Sequence, residues 1–196
     1  MKHKKKKEED LIDLKKEKIL LTGIFLDEES IKRIRETLIK IKDIEKIPYE
    51  NEVINMHCTL KYMPSGGEIA NLSEIVGKPF TLKVIGYIEE EGKSIFQVEL
   101  DPKLEKYYNN TYTENQNGIY RAHLAIPHIV ASVDEIGNKE DDATYISIKL
   151  PEEKQFTVTG KAGYFIKGDP KKPGRISYAI VKSNADGFQG HKLIEK

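Results

Sequence analysis

Apolar and polar residues change rhythm several times along this chain, and each change predicts an element. Ile19-Leu20-Leu21-Thr22-Gly23-Ile24-Phe25-Leu26 is an apolar run of strand length that stops at Asp27. Asp27 is a good helix N-cap, and Glu28 and Glu29 suit the positive end of a helix. Ile31, Ile34, Leu38 and Ile41 then recur at three- and four-residue spacing to about Asp43, which predicts an amphipathic helix with an apolar stripe laid on a sheet. Pro48 ends it. Val53 to Met63 reads as a strand closed by the turn signal Pro64-Ser65-Gly66-Gly67, and a short helix is expected around Ile69 to Val76.

Phe80 to Ile88 and Ser94 to Leu100 flank the polar, glycine-containing segment Glu89-Glu90-Glu91-Gly92-Lys93 and predict an antiparallel hairpin. Asp101-Pro102 opens a helical turn running to about Tyr108. Asn109 to Gly118 is Asn-rich and poor in apolar residues, so it reads as a mobile loop, placed to serve as a lid, before a strand around His128. The acidic segment Asp134 to Asp142 reads as another loop. Strands are expected near Thr144 to Leu150, Gln155 to Ile166 and Ile176 to Lys182, the last two joined by an exposed turn, Lys167 to Arg175, rich in Gly, Pro and Lys. Strands returning in hairpins with few helices predict an α+β fold: two small antiparallel sheets facing each other across a central cleft, with helices outside.

A chain of 196 residues is long enough for one well-buried core and too short for two independent domains. The expected organisation is a charged, mobile N-terminal arm (1–17), a two-lobed domain (18–183) and a weakly ordered tail (184–196). Lys4 to Lys7 carry no apolar segment behind them, so the arm does not read as a secretory signal. A formal net charge of zero argues against a grip on extended duplex DNA and leaves a nucleotide or short RNA as a partner. No apolar run approaches the ~20 residues of a membrane span, so no membrane partner is expected. The single cysteine, Cys58, excludes an internal disulfide, and a cytoplasmic setting fits. The chain is expected to act as a monomer.

Candidate chemistry lies in an internal repeat. Met56-His57-Cys58-Thr59-Leu60-Lys61-Tyr62 is echoed by Pro127-His128-Ile129-Val130-Ala131-Ser132-Val133. Each run is followed by a similar strand, Lys78-Pro79-Phe80-Thr81-Leu82 ending at Gly86-Tyr87, and Lys154-Gln155-Phe156-Thr157-Val158 ending at Gly163-Tyr164. Side chains at i and i+2 share a face of a strand, so His57 and Thr59 point together while Cys58 and Leu60 point into the packed layer. Two imidazoles in a shared cleft can divide acid–base work around a phosphorus centre, one as base and the other as acid. Thr59 can donate its hydroxyl hydrogen to a non-bridging phosphate oxygen. The chemistry asks for no metal and no cofactor, and His3, His191 and Cys58 lack metal-ligand spacing. His123 is a second candidate for the later motif, on the opposite face from His128 in a continuous strand; Pro127 and Ile129 favour His128. Tyr62, Tyr87 and Tyr164 read as sheet-packing residues.

His57-Cys58-Thr59-Leu60 resembles the H-x-T-x signature of the two-histidine (2H) phosphoesterases, and Pro127 to Ser132 resembles that family's second copy. The likeness runs from about Ile19 to Val181 in the order strand, long helix, histidine strand, hairpin. The family includes ligase-like proteins acting on 2′-5′ RNA linkages, cyclic phosphodiesterases of tRNA splicing, and phage anti-CBASS nucleases that degrade cyclic-oligonucleotide immune signals. The resemblance implies a bilobal fold and metal-independent cleavage of a nucleotide phosphodiester, with His57, Thr59 and His128 as the catalytic set. Val130 stands where the family carries a second hydroxyl, which Ser132 would supply from a bulged strand. A binding module that keeps the cleft without turnover is the alternative expectation.

Overall fold

The computed structural model describes residues 11–42, 51–53, 55–90, 92–133 and 148–181. Along the chain it has β1 (Ile19–Leu26), α1 (Glu28–Lys42), β2 (Asn51–Glu52), β3 (His57–Tyr62), α2 (Gly66–Leu72), β4 (Pro79–Glu90) and β5 (Lys93–Glu99). A 3-10 turn (Pro102–Tyr107) precedes β6 (Thr111–Gln116), β7 (Ile119–Leu124), β8 (His128–Val133) and β9 (Ile148–Lys149). A second 3-10 turn (Glu152–Lys154) leads to β10 (Phe156–Ile166) and β11 (Arg175–Ser177).

Six of these strands lie side by side in the order β10-β1-β3-β8-β5-β4, and β4 pairs with β10, so the sheet closes into an antiparallel barrel. Closure leaves none of the six with an open edge. The short strands β2, β9 and β11 hang on β8, β4 and β10. The expected α+β class holds, with mostly strands and few helices. Where two separate sheets were expected, one closed sheet stands, because the two Phe-Thr repeat strands pair with each other: Phe80 opposes Gly160 and Phe156 opposes Val84.

Ile24, Cys58, Leu60, Leu82, Val84, Phe96, Ile129, Ala131, Val158 and Ala162 are buried in one hydrophobic core, joined by Ile34 and Leu38 of α1. Asp27 caps α1, its Oδ1 accepting the Ser30 N–H at 2.7 Å, and Ser30 Oγ accepts the Thr159 N–H at 2.8 Å to tie the helix start to β10. Of the sequence-predicted packing tyrosines, Tyr87 and Tyr164 are buried, and the Tyr164 hydroxyl donates to Ile69 O at 2.8 Å. Tyr62 is exposed.

Several boundaries differ from expectation. The residues read as a turn before α2 are its cap and first turn: Ser65 and Glu68 form a reciprocal capping box, and the helix starts at Gly66. The stretch expected to be a mobile loop, Asn109 to Gly118, instead supplies β6, paired with β7 in a separate two-stranded sheet. Its turn is Asn117-Gly118, at φ of 55° and 80°. Both angles fit the two-residue hairpin turn that Asn-Gly favours. The Lys167 to Arg175 turn is as expected, with Asp169 Oδ1 accepting from the N–H groups of Lys171 and Lys172 at 2.7 Å each. β11 is shorter than expected, ending at Ser177.

Of the expected N-terminal arm, residues 1–10 lie outside the described residues. Its remainder lies against the fold: Ile12 is buried and bridges to Val181. The acidic loop Asp134 to Asp142, most of the strand expected from Thr144, and the tail 184–196 also lie outside the described residues. Among the described residues, no helix is long and apolar enough to cross a membrane.

Candidate active site

β3 and β8 are antiparallel neighbours that meet at Cys58 and Ile129. Their exposure alternates in step. His57 and Thr59, like His128 and Val130, are half-buried, whereas Cys58, Leu60, Ile129 and Ala131 are buried. Antiparallel pairing about Cys58 and Ile129 sets Thr59 beside His128 and His57 beside Val130 on the face away from the core. His57, Thr59 and His128 are thus brought together by two adjacent strands.

Both imidazoles are held in the same way. His57 Nδ1 donates to Asn55 O at 2.8 Å, and His128 Nδ1 donates to Ile126 O at 2.7 Å, in each case the carbonyl two residues earlier. A carbonyl only accepts, so Nδ1 carries the hydrogen in both rings. The tether also sets ring orientation, which proton transfer demands.

The surroundings of the two rings differ. On the His57 side, the register partner on β1 is Phe25, 1% exposed, with its ring centroid 5.4 Å from the imidazole centroid and tilted by 39°. On the His128 side, the register partner on β5 is the amide Gln97. Thr59 faces Gly23, where an added Cβ would come within 2.9 Å of Cys58 O. β1 and β3 therefore approach closely beside the Thr59 hydroxyl. Cys58 takes no part on this face: burial pushes its thiol up to about 12.

The register of β8 against β5 slips between Ser94 and Ile95, so the strand is bulged as the Ser132 expectation required. The bulge does not bring the Ser132 hydroxyl to the histidine face. Ser132 and its partner Ser94 are both 0% exposed, and neither hydroxyl has a hydrogen-bond partner among the described residues. His123 lies in the small sheet, stacked on Tyr112 at 5.3 Å and 26°. His3 and His191 lie outside the described residues. Among the described residues, no three His, Cys, Asp or Glu side chains converge as a metal-binding group would.

Sequence reasoning missed Phe25 and Gln97, since each reaches the site only through cross-strand pairing. It also missed the hairpin next to the site, although Asn117-Gly118 was a readable turn signal. The hairpin is tied to β3 by Asn109 N–H to Leu60 O at 3.0 Å and by Tyr62 N–H to Asn110 Oδ1 at 3.3 Å. No protein-family model and no curated protein sequence matches the chain.

Proposed function

We propose that the protein is a metal-independent phosphodiesterase of the two-histidine type that cleaves a nucleotide phosphodiester. One observation carries this reading: two histidines on adjacent strands are tethered alike through Nδ1, each to the carbonyl two residues before it. In the reaction, a neutral Nε2 takes the proton of the attacking oxygen as that oxygen bonds to phosphorus. The other imidazole, protonated, gives its Nε2 proton to the leaving oxygen as the phosphorus–oxygen bond breaks. The Thr59 hydroxyl donates to a non-bridging oxygen, where negative charge accumulates. The attacking oxygen is water on a 2′,3′-cyclic phosphate, or a 2′-hydroxyl or water on an RNA or cyclic-oligonucleotide linkage. The enzyme acts without cofactor, as a cytoplasmic monomer.

The same reading makes the barrel a pair of pseudo-symmetric lobes around a cleft. Exchanging β1 with β5, β3 with β8 and β4 with β10 preserves every neighbour relation in the barrel. Register agrees: the Cys58–Ile129 pair maps onto itself, while Phe80–Gly160 and Val84–Phe156 exchange. Connections agree too, with α1 after β1 answered by the 3-10 turn after β5, and α2 before β4 answered by the 3-10 turn before β10.

A second reading, a nucleotide-binding module of the same fold without turnover, is favoured by Val130, which puts an apolar side chain beside His57 where a hydroxyl would serve. The deciding experiment is turnover in EDTA of a 2′,3′-cyclic nucleotide, a 2′-5′ oligoadenylate and cyclic di- and trinucleotides. Cleavage that His57→Ala lowers by about 10²- to 10⁴-fold supports the enzyme. Binding without cleavage supports the module, and cleavage that survives loss of both histidines overturns the mechanism.

A further inference from the structure

We infer that Tyr178 is the platform on which a nucleobase of the substrate stacks, an inference that rests on the phosphodiesterase reading above. The rows that begin at the histidine motif continue onto β10. His57 pairs with Phe25 and Phe25 with Lys161, whereas Thr59 pairs with Gly23 and Gly23 with Gly163. Two glycines in succession leave the sheet beside Thr59 without side chains, and the Tyr178 ring covers the second of them. A Cβ at Gly163 would come within 2.8 Å of the ring's Cδ1. The ring thus lies against the Gly163 backbone, in a position that a larger residue at 163 would crowd.

Two further contacts fix the ring. It meets Phe25 in a T-shaped contact at a centroid separation of 6.5 Å and 81°, and Lys161 Nζ lies over it, 5.9 Å from its centroid. Phe25 in turn touches His57, so two ring contacts separate the platform from a proposed catalytic imidazole. The core tyrosines Tyr87 and Tyr164 are buried with their hydroxyls bonded, but Tyr178 remains 42% exposed. It opens onto a cavity of about 390 Å³ along β11, lined among the described residues by Leu11, Ile12, Arg175 and Ser177 as well. A cavity of this size admits a nucleoside, and its lining sets apolar Leu11 and Ile12 against polar Arg175 and Ser177. A rigid aromatic ring stacks any base, and the Lys161 ammonium over it adds a positive charge for the attached phosphate.

The test compares ligands that differ only in the base. With the full-length protein, adenosine 2′,3′-cyclic phosphate and ribose 2′,3′-cyclic phosphate serve as substrates, and 3′-AMP and ribose 3-phosphate as ligands in calorimetry. Tyr178→Ala should raise KM for the adenosine substrate and Kd for 3′-AMP roughly tenfold, with kcat little changed, and narrow the preference over the ribose compounds. Tyr178→Phe should keep that preference, and Tyr178→Leu, which still covers Gly163, should lose it. The proposal is overturned if adenosine and ribose compounds weaken together, or if wild-type protein binds them equally. The calorimetric comparison stands even if no substrate is turned over, so failure of the subsite and failure of the phosphodiesterase reading give different results. Wild-type NMR adds a readout that needs no variant: 3′-AMP should shift the Tyr178 ring signals and ribose 3-phosphate should not.

Discussion

The two histidine strands share a backbone arrangement and differ in what surrounds it. In β3 and in β8 the ring is tethered to the carbonyl two residues before it, and exposure alternates in the same phase. Around His57, however, stand Phe25 and Val130, and around His128 stand Gln97 and Thr59. Imidazole orientation therefore comes from local backbone geometry, which the repeat copies faithfully. The polarity at each ring comes from the neighbouring strands, which the repeat does not copy. One half of the site offers a hydroxyl and an amide, the other an aromatic ring and a branched alkyl group.

The comparison breaks most sharply at the rings themselves. His57→Ala and His128→Ala should each lower kcat/KM by about 10²- to 10⁴-fold, and the double variant should lose little more than either, since acid and base act in one step. Steady-state kinetics on the best substrate of the panel, with a bell-shaped pH profile in the wild type, would bear this out. A profile with a single limb in the wild type would show that only one ring exchanges a proton.

Next comes the +2 position. Thr59→Val makes β3 resemble β8 and should cost about 10²-fold in kcat, the effect of losing a donor that acts on transition-state charge. Val130→Thr makes β8 resemble β3 and should raise kcat, by a smaller factor because its hydroxyl has no preorganised partners. If both substitutions leave kcat unchanged, the asymmetry has no catalytic meaning and Thr59 is a packing residue.

The last contrast, silent at neutral pH, concerns the buried pair at the centre of the two strands, Cys58 against Ile129. The folded thiol, pushed up by burial from its ordinary 9.0 to about 12, stays protonated when the unfolded thiol has ionised. The unfolded state then binds fewer protons than the folded one, so stability falls as pH rises. The contribution is whole below pH 9 and is lost between pH 9 and about 12, by at most about 1.4 kcal/mol per pH unit. Cys58→Val should flatten that alkaline slope in urea-unfolding curves, and an unchanged slope would refute the burial argument. Tyr164, also raised by burial, is present in both proteins and drops out of the difference.

Much of this was legible along the chain because its causes are local. The stripe Ile31, Ile34, Leu38 and the cap at Asp27 specify α1 within a few residues of themselves, and the period-two alternation puts Cys58 and His57 on opposite faces whatever their neighbours are. The Asn-rich segment 109–118 reads as a loop on its low apolar content, yet its turn chemistry makes it a hairpin strand. Asn117-Gly118 needs only two residues in the left-handed region to return the chain, and the strands of a solvated hairpin need little apolar surface.

By itself, then, the sequence determined most of the strands and helices outside the 109–124 hairpin, the faces that β3 and β8 bury, and that two histidine motifs repeat with Thr59 unmatched by Val130. Only the tertiary structure decided that β4 and β10 join to close one barrel, that β3 lies against β8 centred on Cys58 and Ile129, that Ser132 is buried, and that Phe25, Gln97 and Tyr178 reach the histidine face. The physical reason is range. Side-chain alternation and capping are set by neighbours one to four residues away, whereas cross-strand register depends on closing the whole sheet, where a one-residue slip exchanges the faces of a strand.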